Sequence, residues 1–419
     1  AYEISLGLVG SEMCIRDRDK IVSLLGRAEL RRYFFDKLEN PEWIRPLYEK
    51  VFFKHPPSPK VDKLTGTISF PTWPESRYLA RMAPLKPNLV LEIILNMPDT
   101  DNTRVHEDLI EAVLNMPPEL AVKIVSKAKK WIRNPYKFLL PDKLGKLIVH
   151  LAKGGQDKAF ELAQVLFKIV SDKKIPRPEP KPFFISQWEY EDLIKKCVFP
   201  LAQVNGMRAL DLFCNFLKKA VQISYKGRNP NDFSYIWRPA IENHEQSLTN
   251  DLKSILVSAV RDVAEVLIRE KPTRIYEVIQ HLETCQWYIF HRIALYLLSR
   301  FPNLAPELVR EKLLNDALFY NMSLWHEYSM LLKIYFNQLD PDEQNIILSW
   351  IETGPRKTYD EDAERKRRIW QRDRLSIIKD HLPERWRQLY EELVKELGES
   401  SHPEFPVYHT SFFAGPVSP

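Results

Sequence analysis

Apolar residues recur along this chain at the three- and four-residue spacing of a helix face, and proline rather than glycine punctuates the runs. Glycine supplies the positive-φ turns and the phosphate-cradling loops on which barrels, sandwiches and nucleotide-binding folds depend. The chain has 12 glycines in 419 residues, against 31 prolines. Proline suits the first turn of a helix and stops the helix before it. The combination predicts an all-α chain of many helices joined by short loops. Val105, Leu109, Ala112, Val113 and Met116 mark one helix face. Pro117 and Pro118 end that helix and open another, with a stripe of Leu120, Ile124, Ala128 and Trp131.

Further along, Trp325, Tyr328, Leu331, Leu332, Tyr335, Phe336 and Leu339 form a second clear stripe. Asp340 then offers an N-cap, Pro341 a first helical residue and Glu343 the acid of a capping box. Ile346, Ile347, Trp350 and Ile351 make the next stripe, and Gly354-Pro355 a stop. The longest helix is expected from about Leu248 to Glu270, and the last one through Trp386, Leu389, Leu393 and Leu397 to Gly398. Alternating strand patterns are almost absent, and 65–71 (TGTISFP) offers one short extended piece.

The segment LEIILNMP at 91–98 returns as IEAVLNMP at 110–117, an offset of 19 residues. Two such helices make a unit of about 38 residues, near the roughly 40–47 of HEAT and armadillo repeats. The expected architecture is a right-handed α-solenoid of antiparallel helix pairs in two blocks, 19–172 and 189–398. Between them, 173–188 places four prolines at alternate positions and predicts an extended strap or linker.

The spans WPESRYLARMA (73–83), ILNMPDTDNTRVHEDLIEAVLNMPPEL (94–120), HLETCQWYIFHRIALYLLSR (281–300) and LDPDEQNIILSWIETGP (339–355) resemble a group of large bacterial HEAT-like solenoid proteins, as does 402–419. The resemblance implies an α-solenoid continuing past residue 419, and brings no catalytic motif with it. Residues 1–18 (AYEISLGLVGSEMCIRDR) resemble a translated sequencing adapter and are expected to be a non-native leader. Residues 399–419 read as a tail leading to a further element.

Sequence motifs for catalysis and metal binding are largely missing. A zinc-binding H-E-x-x-H needs a second imidazole one turn on; after His106-Glu107, His244-Glu245 and His326-Glu327 that place holds Ile110, Leu248 and Met330. The acidic run at 99–110 lacks the glycine and final glutamate of a calcium loop, having Arg104 and Ile110 there. No P-loop and no nucleophile-elbow sequence occurs. Cys14, Cys197, Cys214 and Cys285 show neither metal nor disulfide spacing and read as reduced thiols of a cytoplasmic protein. No catalytic residue, metal or cofactor is expected, and no run of 18 apolar residues suggests a membrane span.

Two basic runs with interleaved aromatics remain, the pattern that phosphate contacts and base stacking would use. One holds Lys123, Lys127, Lys129, Lys130, Arg133 and Lys137 beside Trp131 and Tyr136; the other holds Arg365, Lys366, Arg367, Arg368, Arg372 and Arg374 around Trp370. Helical pairs such as Glu361–Arg365 and Glu364–Arg368 would neutralise much of the second. With 61 basic against 56 acidic side chains the chain is nearly balanced, so composition does not demand nucleic acid. The favoured expectation is a non-catalytic scaffold or adaptor that binds a protein, or another domain of its own full-length chain. The alternatives are a nucleic-acid-binding solenoid in genome maintenance or phage defence, and the sensor part of a larger enzyme.

Overall fold

The computed structural model describes residues 25–134, 136, 139–172, 178–225, 231–243, 251–356 and 362–400. The leader, Lys137, most of the proline-rich run's first half, His244-Glu245, Leu248, Glu361 and the tail from 401 lie outside the described residues. Helix dominates what is described.

The first compact unit comprises 1–170 and 182–212. Its helices are α1 (Ala28–Lys37), α2 (Ile44–Glu49), α3 (Pro74–Met82), α4 (Pro87–Asn96), α5 (Thr103–Leu114), α6 (Pro118–Ala121), α7 (Val125–Trp131), α8 (Leu140–Lys153), α9 (Lys158–Leu166) and α10 (Gln187–Val204). α11 (Gly206–Ser224) starts in this unit and passes into the next. Proline occupies the first turn of α3, α4, α6 and α8, where its missing N–H removes no helical hydrogen bond. Alternate helices pack side by side: α1 on α3, α3 on α5, α5 on α8 and α8 on α10. A second row runs α2, α4, α6, with α7 against α9. Gly145 permits one of these approaches, since a Cβ there would sit 2.4 Å from a Leu193 methyl of α10. The Val105–Met116 stripe is buried as its period requires, and so are Ile124, Ala128 and Trp131. The helix opened by Pro118 is broken, with a tighter turn at Val122–Ile124 before α7. Short strands β1 (Lys60–Val61) and β2 (Ile68–Ser69) pair antiparallel, placing part of the expected extended piece and adding a partner that the sequence pattern did not show.

The second unit comprises 171–181 and 213–419, so the units divide within α11 and the proline-rich run contributes to both. Strands β3 (Ile169–Asp172) and β4 (Glu179–Pro182) pair as a two-stranded sheet. There follow α12 (Ser234–Trp237), α13 (Leu252–Glu270), α14 (Ile275–Glu283), α15 (Tyr288–Arg300), α16 (Pro306–Leu313), α17 (Asp316–Phe319), α18 (Trp325–Tyr335), α19 (Pro341–Thr353), α20 (Ala363–Ile377) and α21 (Glu384–Leu397). Again alternate helices form a row, α13 on α15, α15 on α18 and α18 on α20, with α14, α16, α19 and α21 each against a member of it.

The α18–α19 turn follows its sequence closely. Asp340 accepts from the Glu343 N–H at 2.9 Å, and the Glu343 carboxylate accepts from the Asp340 N–H at 3.1 Å. Gly354 ends α19 with φ 86°, a conformation open to glycine. Ile346, expected in the stripe, is 43% exposed, and Leu348 is buried instead. Asp340→Ala is expected to destabilise the second unit by about 0.5–2 kcal/mol, as loss of an N-cap does. Urea denaturation of the variant checks this; an unchanged midpoint would show that the capping box does not stabilise the turn.

Candidate functional site

The described residues of the two basic runs are partly paired within their own units and partly exposed. In the first, the Lys127 ammonium donates to the Met97 carbonyl at 2.6 Å and lies 4.0 Å from Asp99, which Lys130 approaches at 3.7 Å. Lys129 pairs with Glu161 at 2.9 Å, and Arg133 is exposed. In the second, Arg365 lies 3.9 Å from Asp362 and Arg367 donates to the Glu352 carbonyl at 2.7 Å. Lys366 is exposed, and Arg368 pairs with Glu396 of α21. Arg372 is buried: its guanidinium holds Asp373 at 2.7 and 3.0 Å and donates to the Leu397 and Gly398 carbonyls. That places a cation on the C-terminal carbonyls of α21, where the helix dipole favours it.

Arg374, two residues further along α20, is only 4% exposed. Its guanidinium carbon lies 4.0 Å from the Trp325 ring centroid and 3.9 Å from that of Trp370. Trp370 stacks on Tyr320, and the Arg356 guanidinium lies 4.5 Å from the Tyr320 ring centroid. Trp370 thus belongs to a cluster of rings and cations, with Phe319 buried at its side.

One constellation of ionisable side chains among the described residues of the second unit was not visible as a motif. Glu242, His326 and Glu327 bring one ligand atom each within 4.8 Å of one another. His326 and Glu327 open α18, while Glu242 comes from the irregular segment 238–243. Arg292 of α15, with no exposure, holds Glu327 through two bonds of 2.7 Å from Nε and Nη2. The same guanidinium donates to the carbonyls of Arg238 (2.7 Å) and Pro239 (2.8 Å). Arg261 of α13 donates to the Ile241 carbonyl at 2.9 Å, and Arg238 folds back on Ala240 and Ile241 at 2.9 Å. The Ile241 N–H in turn donates to Glu327. A buried segment without helix or strand must have its backbone groups satisfied by side chains, and three arginines and a glutamate do this here. Asp232 anchors the other end, accepting from the Ile289 N–H at the start of α15 at 2.8 Å.

The donor set resembles a metal site in spacing alone. Both Glu327 oxygens already accept from Arg292, and Arg238, Arg261 and Arg292 crowd the region with positive charge. A divalent cation would have to displace a fully buried guanidinium, so the geometry favours a buried ion-pair centre. Burial works against a charged His326, yet its 2.8 Å hydrogen bond with Glu242 and the nearby Glu327 and Glu242 charges raise its pKa above the ordinary value. Burial likewise opposes a charged Glu242, and the histidine bond lowers its pKa overall. The pair is therefore charged between the lowered Glu242 pKa and the raised His326 pKa. The stability from His326 is fully present below the unfolded pKa of about 6.5 and is lost as pH rises through the folded value. Replacing His326 with glutamine is expected to flatten the fall in stability above neutral pH, measured by urea midpoints across that range. A pH slope equal to the parent's would show that the pair contributes nothing.

His106 in the first unit behaves oppositely. Burial pushes its pKa down to about 4. Nε2 contacts the Thr100 carbonyl at 2.8 Å, Nδ1 is buried without a partner, and the ring stacks on Trp131 at 4.8 Å. Protonation would bury an unpaired N–H. Stability is expected to fall by about 3 kcal/mol as pH drops from 6.5 to 4, and His106→Phe to remove that part of the slope. Midpoints at pH 6.5 and 4 measure it.

No protein-family model matches the chain, and no curated protein or solved structure matches it significantly. Among the described residues no helix is long and apolar enough to cross a membrane. Sequence reading singled out His326-Glu327 only to test for H-E-x-x-H. Nothing local could have joined it to Glu242, 84 residues away.

Proposed function

We propose that this chain is an α-solenoid of HEAT-like helix pairs, and that it acts as a non-catalytic cytoplasmic scaffold for a protein partner or for another domain of its full-length chain. The observation that carries this reading is the side-by-side packing of alternate helices within each unit. Such rows leave each helix pair supported chiefly by its neighbours and present a long lateral surface. The ion pairs that engage Lys127, Lys130, Arg367, Arg368 and Arg372 favour a protein over nucleic acid.

The test is capture with the tagged full chain from bacterial lysate, with and without nuclease and at high salt. A stoichiometric protein that survives both treatments is expected. Recovery of nucleic acid alone, lost as salt rises, would replace this reading with the nucleic-acid one.

A further inference from the structure

Three buried arginines of the second unit give one edge of the guanidinium to a carboxylate, and Arg238 gives that edge to the Ala240 and Ile241 carbonyls, whereas Arg374 does neither. In Arg292, Arg261 and Arg372 the edge formed by Nε and Nη2 holds a carboxylate: Glu327, Asp262 and Asp373 in turn. This is the side-on fork in which a planar guanidinium and a planar carboxylate match. In Arg374 the Nε is buried with no hydrogen-bond partner, and Nη2 meets only the Met322 sulfur at 3.6 Å. A thioether is a weak acceptor. The carboxylate next in sequence, Asp373, is held by Arg372 and by the Ser400 hydroxyl. Buried charges are ordinarily paired, so Arg374 is a cation set in place without its anion.

Its surroundings define what fits. One face of a guanidinium accommodates one indole at about 4 Å, so Trp325 and Trp370 take its two faces. They leave only an in-plane approach to the Nε–Nη2 edge. The residue on that edge, Met322, is 62% exposed, and both tryptophans are partly exposed. A flexible, unbranched thioether is easily moved aside. A flat carboxylate enters such a slot more readily than a tetrahedral phosphate.

We propose that Arg374, between Trp325 and Trp370, is a docking point for one carboxylate, an acidic side chain of a protein partner that displaces Met322 from the Nε–Nη2 edge. This rests on the reading of the chain as a protein-binding scaffold and names the chemistry its partner presents. Arginine and tryptophan are the residues most often found where interface energy concentrates. The lost pairing that the free protein tolerates would then be recovered in the complex.

The test uses the full chain labelled with 5-fluorotryptophan, with the Trp325 and Trp370 fluorine resonances assigned through Trp325→Phe and Trp370→Phe. N-acetylglutamic acid α-amide supplies a single carboxylate; N-acetylglutamine amide and inorganic phosphate are compared at matched ionic strength. The carboxylate is expected to move both resonances saturably, with a midpoint on the order of 1–10 mM for so small a ligand. The glutamine analogue is expected to leave them in place, and Met322→Ala to lower the midpoint several-fold. Arg374→Met, whose other resonances should coincide with the parent's, is expected to abolish the response, and Arg374→Lys to weaken it about tenfold. Absence of a saturable shift up to about 100 mM, an equal response in both Arg374 variants, or a lower midpoint for phosphate overturns the proposal. A responding cage on a chain that captures no protein would remove the scaffold reading and leave the carboxylate site standing. Equal capture of one partner by the parent and by Arg374→Met would overturn the site's role in docking while leaving the scaffold reading.

Discussion

Glu327→Ala is expected to destabilise the second unit by about 3–5 kcal/mol, the cost of stranding a buried guanidinium. Glu327 is 1% exposed and Arg292 not at all, so water cannot replace the lost carboxylate. The Ile241 N–H loses its acceptor in the same substitution, and the pinned segment 238–243 is expected to loosen first. Urea denaturation followed by tryptophan fluorescence gives the magnitude. The double variant Arg292→Met with Glu327→Leu separates a broken pair from a lost one. Removing both charges is expected to recover much of the stability lost by Glu327→Ala alone. If the double variant is as unstable as the sum of its single substitutions, Arg292 acts through its carbonyl contacts and the ion pair is incidental.

Phe319→Ala is the second large effect, expected at about 3–5 kcal/mol from lost burial and the cavity left behind. Phe319 is fully buried and packs edge-on against Tyr320, Trp325, Tyr328 and Trp370, with Trp350 tilted against it. It draws α17, α18, α19 and α20 onto one centre, so its loss is expected to shift several tryptophan signals together. Calorimetry measures the stability and near-ultraviolet circular dichroism the aromatic packing. A loss below about 1 kcal/mol would mean that the surrounding rings close over the gap. The comparison with Asp340→Ala is informative because the two lie in the same unit. One removes a local cap that the sequence spells out, and the other a packing centre that it does not.

What the sequence by itself determined is whatever depends on residues within a turn or two of each other. Helical period and proline placement determined the all-α class. The Asp340–Glu343 box and Gly354 stop came out as their spacing demands, because a cap is satisfied by groups three residues apart. The stripe from Val105 to Met116 is buried for the same reason. Composition could not say which charged residues are surface and which are interior. Arg372 and Arg374 sit two residues apart in a strongly basic run, yet both are buried, one on helix-end carbonyls and an aspartate, the other between two indoles. Asp373 and Trp370 lie on the same helix, but the Leu397 and Gly398 carbonyls at the end of α21 and Trp325 of α18 come from elsewhere, and only packing brings them within reach. The Glu242–His326 bond and the Arg292–Glu327 pair join residues 84 and 35 positions apart. Periodicity records which face of a helix is buried and carries nothing about what that face meets. Tertiary structure decided those meetings, because these buried charges require partners and the chain supplied them from distant segments.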